Sequence, residues 1–316
     1  MKTVFVDLGS LDRNDLDMSP IENQSSQLTC HQATSAAQLA ARLGDADVVI
    51  TNKVGLNAEL LSQLPQLKLV CIAATGTNNV DLLAAKRLGI HVSNCQGYGT
   101  GSVVQHAFAL MLALTTRLND YHAAVQRGDW SRSDQFCLLD YPVMELQGKT
   151  LGIIGYGELG RKMASIAEAF GMKVLVAARP GTEPKAGRLA LEQLLPQVDI
   201  LTLHCPLTEQ TKNLIDAEAL ALMKPSALLI NAARGGIVDE VALASALRSC
   251  QLAGAGVDVL STEPPVNGNP LLAADIPNMI VTPHSAWGSV EARQRIVGQI
   301  AENIAAFKAG TTLRQV

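Results

Sequence analysis

Residues 151–160 are Leu151-Gly152-Ile153-Ile154-Gly155-Tyr156-Gly157-Glu158-Leu159-Gly160. The first four predict a short buried strand, and the glycines that follow are spaced G-x-G-x-x-G. Residues 161–170 continue as an amphipathic helix, and residues 172–177 predict a second strand. This order of strand, turn, helix and strand is typical of a turn that binds a dinucleotide, with the pyrophosphate at the helix N-terminus.

Strand and helix patterns alternate on both sides of this stretch, which predicts an α/β protein. Residues 45–51 resemble residues 197–203, and residues 69–76 resemble residues 228–235. We therefore expect two similar, doubly wound parallel-sheet domains that face each other across a cleft. One long helix over residues 101–127, capped by Thr100 or Ser102, is expected to connect them.

The composition excludes several classes of protein. The 316 residues carry a net charge of −4 and no basic run, which argues against a nucleic-acid partner. The N-terminus has no signal-peptide pattern, and the longest apolar run, residues 107–114, is too short to span a membrane. Six scattered cysteines form no metal-ligand spacing. We expect a reduced, cytoplasmic protein without a metal site.

Three polar side chains, Arg234, Glu263 and His284, follow three different predicted strands of the second half. Hydride transfer to a carbonyl needs a proton donor, a group that keeps the donor charged, and a cation that holds the substrate carboxylate. A histidine, a glutamate and an arginine at strand ends of a dinucleotide domain fit these three needs.

In the first half, two predicted strand ends are candidates for binding a small substrate. Lys53 follows one strand, and Ala74, Thr75 and Gly76 follow the next. Backbone N–H groups in a glycine turn can cradle a small carboxylate. An ordinary turn is the equally weighted alternative.

Several longer stretches resemble the D-isomer 2-hydroxyacid dehydrogenases, which use NAD(P). They are Leu203-His204-Cys205-Pro206-Leu207-Thr208, the runs 223–235 and 254–264, and Thr282-Pro283-His284. Their order and spacing match over nearly the whole chain. Residues 47–53, residues 73–77 and Gln135-Phe136-Cys137 are most similar to the bacterial glycerate dehydrogenases, also called hydroxypyruvate reductases.

The resemblance implies reversible reduction of hydroxypyruvate and glyoxylate to D-glycerate and glycolate. His284 becomes the acid/base, Glu263 its partner and Arg234 the ligand of the substrate carboxylate. The implied cofactor contacts are Val104, Gly155, Gly157, Glu158, Leu159, Gly160, Ala178, Arg179, His204, Cys205, Pro206, Thr211, Ala232, Asp258 and His284. The implied substrate contacts are Lys53, Ala74, Thr75, Gly76, Arg234 and His284.

The resemblance also implies how the chain is divided. A flavodoxin-like substrate domain takes residues 1–97 and 288–316, and a Rossmann dinucleotide-binding domain takes residues 98–287. Homodimers through the cofactor domain are usual in the family. The apolar side chains of residues 136–139 would be awkward if exposed, and a second subunit is one way to cover them.

One departure from the family bears on the cofactor. Members that prefer NAD end the second strand of this domain with Asp, whereas this chain has Ala178-Arg179-Pro180. An alanine cannot repel a 2′-phosphate, and the guanidinium of Arg179 is suited to binding one. Lys185 and Arg188 add positive charge to the same loop. We expect a preference for NADP(H), with NAD(H) also usable; a solvated Arg179 and no preference is the alternative.

Two other functions remain open. A phosphoglycerate or D-lactate dehydrogenase would use the same machinery, although no long regulatory domain follows residue 316. A dinucleotide-sensing corepressor would share the fold, but the three filled catalytic positions favour an enzyme.

Overall fold

The structure is a computed structural model that describes all 316 residues. Its strands are β1 (Lys2–Phe5), β2 (Gln27–Cys30), β3 (Val48–Thr51), β4 (Leu69–Ile72), β5 (His91–Ser93), β6 (Thr150–Ile154), β7 (Lys173–Val176), β8 (Ile200–Leu203), β9 (Leu228–Asn231), β10 (Gly254–Val257) and β11 (Met279–Val281). Its helices are α1 (Ser19–Glu22), α2 (Ala36–Leu43), α3 (Ala58–Ser62), α4 (Leu82–Arg87), α5 (Thr100–Thr115), α6 (Leu118–Gln126), α7 (Glu158–Ala169), α8 (Leu191–Leu194), α9 (Ala217–Leu222), α10 (Glu240–Arg248) and α11 (Val290–Lys308). None of the helices has the length and apolar character needed to cross a bilayer.

The chain divides into two compact units. Unit 1 comprises Met1–Gly101 and Trp287–Val316, and unit 2 comprises Ser102–Ala286. Each unit is built on its own parallel sheet, so the predicted pair of α/β domains is confirmed.

The sheet of unit 1 has five parallel strands in the order β2-β1-β3-β4-β5. Side chains alternate between the two faces of the sheet along each strand, and both faces are covered. Val49 and Val70 pack with the helices that lie between the strands in sequence. Phe5 and Ile50, on the opposite face, pack against Ile300 and its apolar neighbours on α11. The last helix of the chain therefore completes the core of the first domain.

Edge strand β2 has no counterpart in the sequence prediction. Its four residues, Gln27-Leu28-Thr29-Cys30, are all at least partly exposed. They lack the apolar run that marks a buried parallel strand. Pairing with β1 holds the strand at the edge of the sheet.

The sheet of unit 2 has six parallel strands in the order β11-β10-β9-β8-β6-β7. One further parallel bridge, between Ala177 and Leu189, extends the sheet beyond β7. The chain returns from β7 to the other side of β6, so the strand order reverses beside the glycine turn. Ligands of open α/β sheets bind at such a reversal point.

The predicted helix over residues 101–127 is wrong as a single element. The structure has α5 and α6 instead, separated at Arg117, whose φ is 55°. The Thr115 and Thr116 hydroxyls donate back to carbonyl oxygens of the preceding turn. Arg117 then pairs with Asp120 at 2.6 Å, which stabilises the turn.

Substitutions at two nearby residues of α11 should change the free energy of unfolding in opposite directions. Ile300 is fully buried, so Ile300→Ala should lower the free energy of unfolding by about 2–5 kcal/mol. A side chain at Gly298 would meet open space, so Gly298→Ala should raise that free energy by about 0.5–1 kcal/mol. Urea unfolding followed by circular dichroism measures both. A loss of stability in Gly298→Ala would contradict this account of the helix.

Candidate active site

The glycine turn after β6 is held by two close approaches of backbone. Gly155 has a φ of 92°, and a side chain there would overlap the backbone of His204 and Cys205. A side chain at Gly160 would overlap the carbonyl oxygen of Gly155. Packing within the protein therefore requires glycine at both positions.

Gly157 is different, because a side chain there would meet no protein atom within 4 Å. It is the N-cap of α7, and no side chain caps this twelve-residue helix. Glu158 and Leu159 begin its first turn, whose N–H groups have no partner within the helix. The space beside Gly157 and these N–H groups suit the pyrophosphate of a dinucleotide.

The loop after β8 is ordered by its own polar groups. The pKa of His204 is lowered to about 4 by burial, so its ring is neutral at physiological pH. Its Nε2 lies 3.0 Å from the hydroxyl of Thr202. The Thr211 hydroxyl donates to the carbonyl oxygen of Pro206 at 2.7 Å and accepts the N–H of Thr208 at 2.7 Å. Thr211 is thus occupied in shaping the loop that contains Cys205 and Pro206.

The segment after β7 begins with Ala178-Arg179-Pro180 and has no acidic side chain at the end of the strand. The Ala178 N–H donates to the carbonyl oxygen of Leu189 at 2.7 Å, which brings Arg188 back beside the strand end. The Arg188 guanidinium lies 4.9 Å from the centre of the Tyr156 ring, within the glycine turn. Arg179 is exposed and pairs with no carboxylate.

The candidate acid/base pair is in direct contact. His284 Nδ1 lies 2.6 Å from Glu263 Oε2, and Glu263 Oε1 accepts the N–H of Leu260 at 2.8 Å. The glutamate is thus anchored on one oxygen and bound to the ring by the other. His284 Nε2 makes no hydrogen bond within the protein, so this nitrogen can exchange a proton with a bound molecule.

Arg234 lies on the loop after β9. Asn231 shapes this loop by accepting the N–H of Ala233 at 3.1 Å and donating to the carbonyl oxygen of Arg234 at 3.0 Å. The Arg234 guanidinium is exposed and donates to the carbonyl oxygen of Ala233 at 2.7 Å. It forms no ion pair, which leaves its charge available to an anion.

Three predicted cofactor residues are almost entirely buried. Asp258 is 1% exposed, and its carboxylate accepts hydrogen bonds from Thr282, Ser285 and Ala286. Val104 and Ala232 are 1% and 9% exposed. Their side chains contribute to packing, and contact with a cofactor stays a prediction for all three.

Unit 1 carries the other predicted substrate residues at the ends of two paired strands, β3 and β4. The N–H of Lys53 donates to the buried carboxylate of Asp7 at 2.7 Å, which fixes the turn after β3. The Thr75 hydroxyl donates to the carbonyl oxygen of Cys95 at 2.9 Å, which fixes the turn that includes Ala74 and Gly76. Parallel strands end at one edge, so both turns lie along the same edge of the sheet.

In unit 2, the turns that follow β6, β7, β8, β9, β10 and β11 likewise share one edge. Among the three candidate catalytic residues, His284 and Glu263 touch, and Arg234 lies on a separate loop of that edge. Sequence reasoning missed Ser102 and His106, which bond to the His284 loop. Their spacing of four residues on a largely apolar helix was the available signal.

Comparison with known proteins identifies the family of the chain. Residues 108–286 match the family described as D-isomer specific 2-hydroxyacid dehydrogenase, NAD binding domain. The glycerate dehydrogenase of Methylorubrum extorquens is 48% identical, over 98% of this chain and 96% of that protein.

Two solved structures are also similar over the whole of this chain. The TT0316 protein of Thermus thermophilus has a TM-score of 0.86 and 33% identity, with 100% of each chain covered. The NADPH-dependent glyoxylate/hydroxypyruvate reductase of Sinorhizobium meliloti, in complex with NADP and malonate, has a TM-score of 0.82 and 28% identity, with 96% of that chain covered.

The doubly wound sheet and its glycine turn define unit 2 as a nicotinamide dinucleotide-binding domain of an oxidoreductase. The chain belongs to the D-isomer specific 2-hydroxyacid dehydrogenase family. The family resemblance seen in the sequence is thereby confirmed.

The contrast between Gly157 and Gly160 gives a test of the glycine turn. Gly157→Ala should leave the melting temperature within about a degree and weaken cofactor binding at least tenfold, because the methyl group enters ligand space. Gly160→Ala should lower the melting temperature, because it forces the turn and α7 apart. Thermal unfolding and titration with the reduced cofactor separate the two effects. Unchanged cofactor affinity in Gly157→Ala would show that the pyrophosphate lies elsewhere.

Proposed function

We propose that this protein reduces hydroxypyruvate and glyoxylate to D-glycerate and glycolate, reversibly, with a nicotinamide cofactor. The observation that carries the proposal is the 2.6 Å contact between His284 and Glu263 at the sheet edge that also presents the unpaired Arg234. The similarity to a glycerate dehydrogenase and to a glyoxylate/hydroxypyruvate reductase supports the choice of substrates.

His284 acts as the acid/base in this proposal. The bound nicotinamide supplies or accepts the hydride at the substrate carbon. His284 Nε2 gives a proton to the carbonyl oxygen during reduction and takes it back during oxidation. Glu263 stabilises the protonated ring from the Nδ1 side and keeps Nε2 directed away from itself.

Arg234 binds the substrate carboxylate. Its guanidinium offers two parallel N–H donors, the geometry that a carboxylate accepts best. The turns of unit 1 that contain Lys53, Ala74, Thr75 and Gly76 contribute further substrate contacts. Asp7 and the carbonyl oxygen of Cys95 hold these turns in shape, and the backbone N–H groups of the glycine turn at 75–76 suit a small acid.

The cofactor that we propose is NADPH, with NADH as a usable second. Ala178 leaves no negative charge at the ribose, and Arg179 beside it is an exposed cation without a partner. Arg188, folded back onto Tyr156, adds a second guanidinium near the strand end. The NADPH dependence of the similar reductase from Sinorhizobium meliloti supports this choice.

The protein in this proposal is a homodimer. The segment between α6 and β6 exposes several large apolar side chains, with Phe136 at 90%, Leu139 at 84% and Val143 at 58%. The Trp130 indole N–H donates to the carbonyl oxygen of Phe136 at 2.9 Å, so the loop is ordered while its side chains face solvent. An ordered apolar surface of this kind suits a subunit interface.

His284→Ala should lower kcat for hydroxypyruvate by about 10²–10⁴-fold, because the carbonyl oxygen loses its proton donor. Cofactor affinity, measured by fluorescence titration, should stay within about twofold. Glu263→Gln should lower kcat as well, since the ring loses its anionic partner. Turnover near the wild-type rate in His284→Ala would end this assignment.

Arg234→Lys should raise KM for hydroxypyruvate and glyoxylate by about tenfold or more, because an ammonium cannot make the two parallel bonds. Arg248→Lys, in an exposed ion pair with Asp275, is the matched control and should leave both KM values unchanged. Simple ketones of similar size should be poor substrates of the wild type, as followed by nicotinamide absorbance. Equal activity on acids and ketones would remove Arg234 from this role.

Wild-type kcat/KM should be higher with NADPH than with NADH. Loss of a charge-assisted contact to phosphate is worth about 10–100-fold, so Ala178→Asp/Arg179→Ala should reverse the preference. A wild-type preference for NADH would refute the proposed cofactor. A preference for NADPH that survives the double substitution would assign the phosphate to other residues, with Arg188→Gln as the next variant.

A further inference from the structure

The loop Thr282–Ala286 holds its central residue in an unusual conformation. His284 has a φ of 52°, a region that residues other than glycine seldom occupy. Its N–H donates to the carbonyl oxygens of Asp258 at 2.8 Å and Thr282 at 3.0 Å. Because a histidine does not favour this backbone by itself, contacts from the surrounding structure keep it there.

The inner side of the loop is wrapped around Asp258. One carboxylate oxygen accepts the Thr282 hydroxyl at 2.6 Å and the Ser285 N–H at 3.0 Å. The other oxygen accepts the Ala286 N–H at 2.9 Å.

The outer side of the loop is held by helix α5. Ser102 and His106 are four residues apart and therefore lie on the same face of the helix. The Ser102 hydroxyl donates to the carbonyl oxygen of Ala286 at 2.6 Å, at one end of the loop. His106 Nε2 lies 2.9 Å from the Thr282 hydroxyl oxygen, at the other end. The Ser102 hydroxyl thus bonds to the loop that contains His284.

The hydrogen bonds assign the direction of the contact between His106 and Thr282. A hydroxyl has one proton, and that of Thr282 goes to Asp258. The oxygen of Thr282 must then accept from His106, whose Nε2 carries a proton. His106 Nε2 also lies 3.5 Å from Asp258 Oδ1. His106, Thr282 and the buried carboxylate therefore form one cluster in which each hydrogen bond polarises the next.

We propose that Ser102 and His106 are positioning residues for His284. They act through Thr282 and Ala286, which flank the histidine, and they do not touch the substrate. The inference rests on the proposed function, in which His284 exchanges the proton. When the outer contacts are lost, the loop relaxes toward ordinary backbone angles and Nε2 moves from its place. A displacement of about 1 Å in such a group can cost on the order of 100-fold in rate.

Three variants at the two ends of the contact test the proposal. His106→Leu keeps the bulk and removes the donor, and it should lower kcat about 10–100-fold with KM for the cofactor within about twofold. His106→Gln carries an amide N–H of similar reach and should restore most of the rate. Thr282→Val keeps the shape of the side chain and removes its hydroxyl. If His106→Leu does not fold, Thr282→Val gives the same comparison of kcat with KM for the cofactor. His122→Leu, on the exposed surface of α6, is the matched control and should match the wild type.

The decisive measurement makes His106→Leu in an enzyme that lacks the His284 ring. In a His284→Ala background, His106→Leu should change the residual rate less than about twofold, because residues that act as one unit are not additive. An equal loss in both backgrounds, or no loss in the His284 enzyme, overturns the inference. So does a His106→Gln enzyme as slow as His106→Leu. Full activity in His284→Ala alone overturns the proposed function instead, and the two failures are thereby told apart.

Discussion

The buried carboxylate of Asp258 is the constraint on which the candidate site depends. A charge removed from water is costly unless hydrogen-bond donors replace the lost solvent. Here the donors are the Thr282 hydroxyl and the N–H groups of Ser285 and Ala286. The chain after β11 therefore has one favourable path around Asp258, and His284 lies on it. The unusual backbone of His284 follows from that path and not from a preference of the residue.

Much of the fold could be predicted because its signals are local. The glycine spacing at 155, 157 and 160 and the apolar strand before it predict the β6–α7 turn without knowledge of any distant residue. The break at Arg117 depends on an ion pair and a left-handed backbone, which hydrophobic periodicity does not report. Edge strand β2 owes its conformation to pairing with β1, because its own residues lack the apolar run of a buried strand.

The candidate site divides in the same way. His284, Glu263 and Arg234 could be predicted because each follows a strand, and parallel strands end together. Contacts that depend on tertiary packing could not be predicted. His106 and Thr282 are 176 positions apart, and nothing near either residue indicates the other. The burial of Val104 and Asp258 likewise depends on how helices and loops cover the sheet.

The placement of α11 has a consequence for how the protein is made. Unit 1 begins the chain, yet one face of its sheet, with Phe5 and Ile50, is covered by the helix that ends it. On the ribosome, that face lacks the part of its cover that α11 provides while all of Ser102–Ala286 is synthesised. Unit 2 is continuous in sequence and has its complete core earlier. Unit 2 can therefore fold before unit 1 is complete. Until α11 is synthesised, part of the apolar sheet face of unit 1 is exposed in the nascent chain.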